Sequence, residues 1–194
     1  MQKKNQTKTI VTTGLLLALE IVFQVIGNYL NIGPANINIS LVPVVLAAVL
    51  CGPMSGAILG FFNGIMALFA PSTIAFFMPV NVGATIIVCL LKCTLAGAIA
   101  GFVFKALKKK NQLMGLIVAS ILVPIINTGI FSVGALLFFR PLLQSSVDSG
   151  KFPNIYLSLI LGMITWNFII EIVSTIILAP TIGMIVLKKE EKQS

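Results

Sequence analysis

Apolar residues fall along this chain in six blocks divided by short polar or turn-forming stretches, at about 9–29, 38–51, 54–70, 78–105, 112–139 and 155–187. A hydrocarbon core of ~30 Å needs ~20 helical residues at ~1.5 Å each, so the blocks are read as membrane helices, the second and third short. Cys51-Gly52-Pro53 forms the turn between those two, because a Gly-Pro pair interrupts a helix. Ala70-Pro71-Ser72 ends the third block, and Lys108-Lys109-Lys110-Asn111 divides the fourth from the fifth. The longest connection, 140–154, holds Pro141, Gly150, Pro153 and several serines.

Composition sharpens this reading. Of 194 residues, 58% are hydrophobic and 9% charged, against roughly 45–50% and 25% in soluble domains. A soluble globular domain, a disordered chain and a disulfide scaffold are excluded. The expected fold is all-α: one membrane domain over 1–194, six transmembrane helices in a single bundle. The net charge of +8 can signal nucleic acid, but these lysines flank apolar blocks, which points to membrane orientation and anionic lipid headgroups. With six crossings, Lys3, Lys4, Lys8, Lys105, Lys108, Lys109, Lys110, Lys188, Lys189 and Lys192 share one side, and Arg140 and Lys151 take the other. By the positive-inside rule both termini are cytoplasmic. The N-terminal lysines before an apolar run have the shape of a signal peptide, but Glu20 interrupts the run and no clean small-x-small cleavage site follows, so the block is read as a retained first span.

Two rows of small residues recur every four positions: Gly52, Gly56, Gly60, Gly64 and Cys89, Cys93, Gly97, Gly101. Such rows let helix backbones approach closely in lipid, so the two cysteines are read as small packing residues. Gly14 and Ala18 form another small pair on the first span, suited to internal packing or to docking a partner membrane protein.

Glu20, Lys92 and Glu171 are the ionisable residues at membrane depth, each costing roughly 2.5–3.5 kcal/mol to insert. A Lys92–Glu171 pair is expected, with Glu20 the competing partner. Asn127-Thr128-Gly129 follow Pro124, which frees a carbonyl one turn earlier. Trp166-Asn167 lie well inside the sixth block, deeper than an interfacial tryptophan belt. Asn81 opens the fourth block, with Thr85 a turn deeper, and Asn63 adds an amide from the third. Convergent amides, hydroxyls and an indole suit a small polar organic ligand; interhelical hydrogen bonds are the alternative use of the same groups. Arg140 and Lys151 either attract a carboxylate or anchor the chain at the interface. The Asn-rich connection near 30–38 fits both a lid over an outward-facing site and an ordinary polar loop.

With no histidine in the chain, acid–base and metal chemistry lack their usual agent. No phosphate-cradling Gly-x4-Gly-Lys-Ser/Thr loop is present, and no acidic ring or filter loop suggests an ion channel. An enzyme is not expected, and neither is a metal site or cofactor.

The whole chain resembles the substrate-binding membrane subunit, or S component, of energy-coupling factor (ECF) vitamin transporters. The resemblance is carried by the size, the six spans, Gly14/Ala18, Ile39-Ser40-Leu41-Val42-Pro43 through Gly52-Pro53-Met54-Ser55-Gly56, Leu91-Lys92 followed by Gly97 and Gly101, and Asn167-Phe168 with Glu171 through Ala179-Pro180. It implies a multi-pass protein of the bacterial plasma membrane that binds a vitamin in an outward-opening cavity capped by the first and third outer loops. Its implied partners are a transmembrane coupling (T) subunit and two ATPase subunits, whose ATP hydrolysis topples the S component and delivers the ligand inside. Gly14 and Ala18 match the family's docking pair for the coupling subunit, where alanine usually stands at both positions; glycine still permits close approach.

Asn127-Thr128-Gly129-Ile130-Phe131, Gly134 and Phe138-Phe139 look most like pantothenate-type S components. Pantothenate, an anion with an amide and hydroxyls, suits amides plus a cation. Riboflavin is the alternative, with Trp166 and phenylalanines around its ring and Asn127 at a polar edge. The expected substrate-binding residues are therefore Asn127, Thr128, Gly129, Trp166, Asn81, Asn63, Thr85, Lys92, Asn167 and Arg140. A rival reading is a stand-alone proton-coupled secondary transporter using Glu20, Lys92 and Glu171.

Overall fold

The computed structural model describes residues 2–29, 31–32, 35–36 and 39–191. Each apolar block is helical: α1 (Gln2–Tyr29), α2 (Leu41–Leu50), α3 (Pro53–Leu68), α4 (Val82–Leu107), α5 (Gln112–Phe138) and, for the sixth block, α7 (Ile155–Leu157) running into α8 (Thr165–Glu191). The sequence reading had no element in 140–154, yet α6 (Arg140–Asp148) occupies its first part, with Pro141 in its first turn, where a missing N–H costs nothing. After α1, Asn31–Ile32 pairs antiparallel with Ala35–Asn36 in a two-rung ladder. The remaining residues of the Asn-rich connection, read either as a lid or as an ordinary polar loop, lie outside the described ones.

Among the described residues, four helical stretches are long and apolar enough to cross a bilayer: Gln6–Gly27, Val82–Leu107, Gln112–Phe138 and Asn167–Lys189. The second and third blocks are different. The ten residues of α2 rise only ~15 Å and the sixteen of α3 ~24 Å, each short of a ~30 Å core. Leu41 through Val49 are all buried, because α2 sits at the centre of the bundle against α1, α3, α4, α5 and α8. A helix apolar on every side is covered either by lipid or by protein; α2 is covered by protein, with Leu41 to Val49 all in the core. Pro43 is tolerated there because it falls in the first turn, before the N–H groups have intrahelical acceptors. Gly52 ends the turn into α3 with φ +101° and ψ 175°, a conformation essentially restricted to glycine.

The two small-residue rows meet each other. Antiparallel α3 and α4 place Gly56 against Gly97, Gly60 against Cys93, Gly64 against Cys89 and Pro53 against Gly101. A Cβ on Gly56 would lie 2.6 Å from the Gly97 carbonyl oxygen, and one on Gly64 2.6 Å from that of Cys89. The helices are thus in backbone contact, the packing that small residues permit in lipid.

The bundle has a basic end. Thr13 on α1 donates to Ser55 near the start of α3 at 3.1 Å. Pro53 touches Gly101 near the end of α4, Phe104 lies over Gly115 of α5, and Leu116 lies over Gly183 of α8. The start of α1, the α4–α5 turn with Lys105 and Lys108–Lys110, and the end of α8 with Lys188 and Lys189 therefore gather at one end, as the charge pattern requires. The side chains of Lys3 and Lys4, and all of Lys192, lie outside the described residues.

Candidate functional site

At the end opposite the lysines, between the segment after α3, α4, α5, α6 and the sixth block, lies a cavity of about 450 Å³. Two π-helical stretches shape it. Thr73–Phe77 contributes Thr73, Phe76 and Phe77, and Ser158–Ile164 contributes Gly162, Met163 and Ile164. A π turn widens the helix and redirects its side chains, here around a void. At the second stretch Thr165 Oγ1 donates to the Ile160 carbonyl at 2.7 Å, bracing the widened turn.

The inner wall is polar. Lys92 from α4, Asn127 and Thr128 from α5, and Asn167 and Glu171 from α8 line it. Asn127 Nδ2 donates to Glu171 Oε2 at 3.2 Å, which holds the Asn127 amide in one orientation. Asn167 Oδ1 is buried with no hydrogen-bond partner among the described residues, so an N–H or O–H from a ligand would satisfy it. The Lys92 ammonium stands 5.4 Å from the centre of the Phe131 ring, a cation–π contact. Phe131 and Phe139 both pack edge-on to Phe77, at 5.6 and 5.1 Å, giving the cavity a rigid aromatic side. Lys92 and Glu171, the expected pair, both line this wall.

Farther out, Ser72, Leu142, Ser145, Ser146 and Lys151 complete the lining. Ser145 and Ser146 come from α6, the first exposed and the second half-buried at the cavity's outer rim, while Leu143 anchors the helix in a core with Ala135 and Leu159. Sequence reading reached Lys151 only as one of two outward cations and did not reach the α6 serines. The available signal was the Pro141 start with Gly150 just beyond the end, at φ +73°.

The other expected ligand-binding residues are placed elsewhere. Gly129 is exposed on the far side of α5, with nothing within 4 Å of where a Cβ would stand. Arg140 is exposed at the start of α6 and lines no part of the cavity. Asn81 caps α4, accepting from the Ala84 amide at 3.0 Å, and its carbonyl accepts from Thr85 Oγ1 at 2.7 Å. Thr85 faces a side chamber of about 40 Å³ that shares Thr73, Phe77, Lys92 and Phe131 with the main cavity. Asn63 is buried behind the cavity, where its amide nitrogen donates to Ser40 Oγ at 2.7 Å. Trp166 is in the turn of α8 before Asn167, and its side chain lies outside the described ones. Gly14 and Ala18 are exposed on α1. Among the described residues, no group of three or more Cys, Asp or Glu stands where it could hold a metal ion.

The family model described as "ECF transporter, substrate-specific component" matches residues 8–183, nearly the whole chain. The chain belongs to that family. Searches of curated proteins and of solved structures return no match. Membership makes this multi-pass protein a transporter's substrate-binding subunit, in a class that is not enzymatic, and associates it with an ECF module of coupling and ATPase subunits and with a vitamin substrate. For a substrate-specific component, a cavity lined by charged, amide, hydroxyl and aromatic groups is the expected equipment.

Proposed function

We propose that this chain captures a vitamin of the pantothenate type for import across the bacterial plasma membrane, powered by ATP hydrolysis in two ATPases joined to it through a coupling subunit. In this reading it crosses the bilayer six times, with both termini cytoplasmic and the cavity facing out. The basic end supports that orientation. The short α2 is compatible with six crossings because protein encloses it, and irregular backbone at membrane depth is tolerated where protein covers it.

One observation carries the choice of ligand. Two ammonium groups, half-buried Lys92 and exposed Lys151, outnumber one carboxylate, Glu171, in a single cavity whose other polar groups are amides and hydroxyls. A ligand with a carboxylate, an amide and hydroxyls matches that set: the carboxylate takes a lysine, a hydroxyl donates to Asn167 Oδ1, and Thr128, Ser145 and Ser146 supply further partners. The aliphatic part rests on Phe76, Phe77 and Phe131. Those phenylalanines also favour a second reading, riboflavin, whose flat ring would use them.

The test is titration of the detergent-solubilised chain with pantothenate and, separately, riboflavin, following Trp166 fluorescence and thermal midpoint. As the only tryptophan, Trp166 reports one place, in the turn next to cavity-lining Asn167. Ligand at 100 times its dissociation constant adds ~2.7 kcal/mol of stability. Saturable quenching and a raised midpoint with pantothenate alone support the first reading, and the same with riboflavin alone supports the second. No response to either removes both.

A further inference from the structure

Charge is unevenly distributed along the depth of the cavity. Of the described residues lining it, three are charged: Lys92, Glu171 and Lys151. Lys92 lies ~15 Å inward from Val82 at the outer end of α4, half-buried beside the Phe131 ring. Glu171 is buried on the same inner wall, where its carboxylate accepts from Asn127 Nδ2. Lys151 follows α6 at the outer rim and is exposed. Glu20, the third ionisable residue at membrane depth, is fully buried and lines no part of the cavity.

This sorting decides what each end can hold. The inner wall carries one ammonium and one carboxylate, so its charges cancel. A ligand anion placed there would add an uncompensated charge away from water, which is costly, and would face a carboxylate of its own sign where repulsion is weakly screened. A neutral end meets neither cost. A carboxylate only accepts hydrogen bonds and has about four lone-pair directions, so Glu171 can take a hydroxyl or N–H from a ligand as well as the Asn127 amide. That demand for a donor holds whichever way the neighbouring amides are turned. Lys92 is left to donate to a neutral oxygen of the ligand, a carbonyl or a hydroxyl. The side chamber beside Lys92 is walled largely by Phe77, Val88, Phe131 and Phe139, which suits small apolar groups. The outer rim is the reverse: Lys151 is the one charge that the described lining residues place there, and it is in water.

We propose that the cavity holds its ligand with one polarity: a neutral, donor-bearing end inside against Glu171 and Lys92, and an anionic end at the outer rim against Lys151. Its substrates are elongated acids whose charge sits at the end remote from their hydroxyl or N–H donors. Lys151 then reads the anion, and Glu171 reads the donors. Applied to pantothenate, a step that rests on the proposed function, the hydroxylated end enters first and the carboxylate stays at the rim.

Panthenol, in which a hydroxymethyl group replaces the carboxylate of pantothenate, isolates the anion. In binding titrations of the detergent-solubilised chain, panthenol should bind about three- to fivefold more weakly than pantothenate, the scale of an exposed ion pair. That ratio should shrink as salt rises from about 0.05 to 0.5 M and disappear in Lys151→Gln. Lys92→Met should weaken both ligands alike and keep the ratio. A ratio of about a hundredfold, the scale of a desolvated charged contact, that ignores salt, or a ratio lost in Lys92→Met and kept in Lys151→Gln, would put the anion at the inner wall. Either result overturns the polarity and leaves the vitamin assignment standing. If Lys92→Met does not fold, the salt series and Lys151→Gln decide by themselves. If riboflavin binds and pantothenate does not, the vitamin assignment fails, and riboflavin is compared with its 5′-phosphate instead: an effect of the phosphate that depends on Lys151 supports the polarity, and one indifferent to Lys151 overturns it. If neither vitamin binds, both fall.

Discussion

Gly60→Ala tests the seam between α3 and α4 that holds the cavity's inner wall in place. The added methyl meets the Cys93 carbonyl group and lies 3.0 Å from Thr94 Cα. These obstacles are backbone, so no rotamer change relieves them and the helices must part. Overpacking costs 1–3 kcal/mol; with immovable neighbours the upper figure of ~3 kcal/mol applies. Alanine recovers about 1 kcal/mol of helix propensity over glycine, leaving a net loss of about 2 kcal/mol. At ~2–4 °C per kcal/mol for a chain of this size, the midpoint should fall by roughly 4–8 °C. Gly129→Ala is the matched control, with the same chemical change on a neighbouring helix and nothing within 4 Å. It should raise the midpoint by roughly 2–4 °C and leave vitamin affinity unchanged. Thermal unfolding of both variants in one detergent measures the difference. Equal shifts would refute the backbone-contact seam, and weakened vitamin binding in Gly129→Ala would refute its exclusion from the site.

Three further outcomes are expected. Lys151→Gln should weaken vitamin binding severalfold, with an effect that shrinks at high salt, while Arg140→Gln leaves it unchanged; the reverse order in a binding titration would mean that the wrong outer cation has been chosen. Lys92→Met should lower affinity for an anionic vitamin by tenfold or more, since a partly desolvated charged contact is worth about 1.5–3 kcal/mol, and a wild-type dissociation constant would remove Lys92 from contact. Gly14→Leu should preserve vitamin binding and abolish co-purification with the coupling subunit, because the bulk stands on an open face of α1; intact assembly would place docking elsewhere.

The helices were legible because long apolar runs in membrane proteins have few other fates. The small-residue rows were equally plain, but their mutual pairing is a long-range register that no local pattern encodes. Lys92, Asn127, Thr128 and Asn167 stood out since polar groups at membrane depth are costly and must face something, and all four line the cavity. The same logic could not separate a cavity wall from a buried hydrogen-bond row, which is where Asn63 went. Gly129 follows Thr128 by one residue, about 100° around the helix, enough to carry it from the cavity side to the exposed side. The α6 helix and the first π-helical stretch were illegible because nine- and five-residue elements beside Pro and Ser look like connection, whereas the second, Ser158–Ile164, fell inside an apolar block read as one continuous helix; the form of each depends on the core it rests on. Arg140 fell to the same cause: α6 begins at that residue, and its exposed face carries the guanidinium away from the site.

Reconstituted uptake probes the central claim most directly. Vesicles holding this chain with the coupling subunit and both ATPases, loaded with ATP on the side of its lysine-rich end, should accumulate labelled vitamin, and omitting either this chain or ATP should stop it. Accumulation by this chain alone, driven by a pH gradient and indifferent to ATP, would contradict the account and point to a proton-coupled carrier.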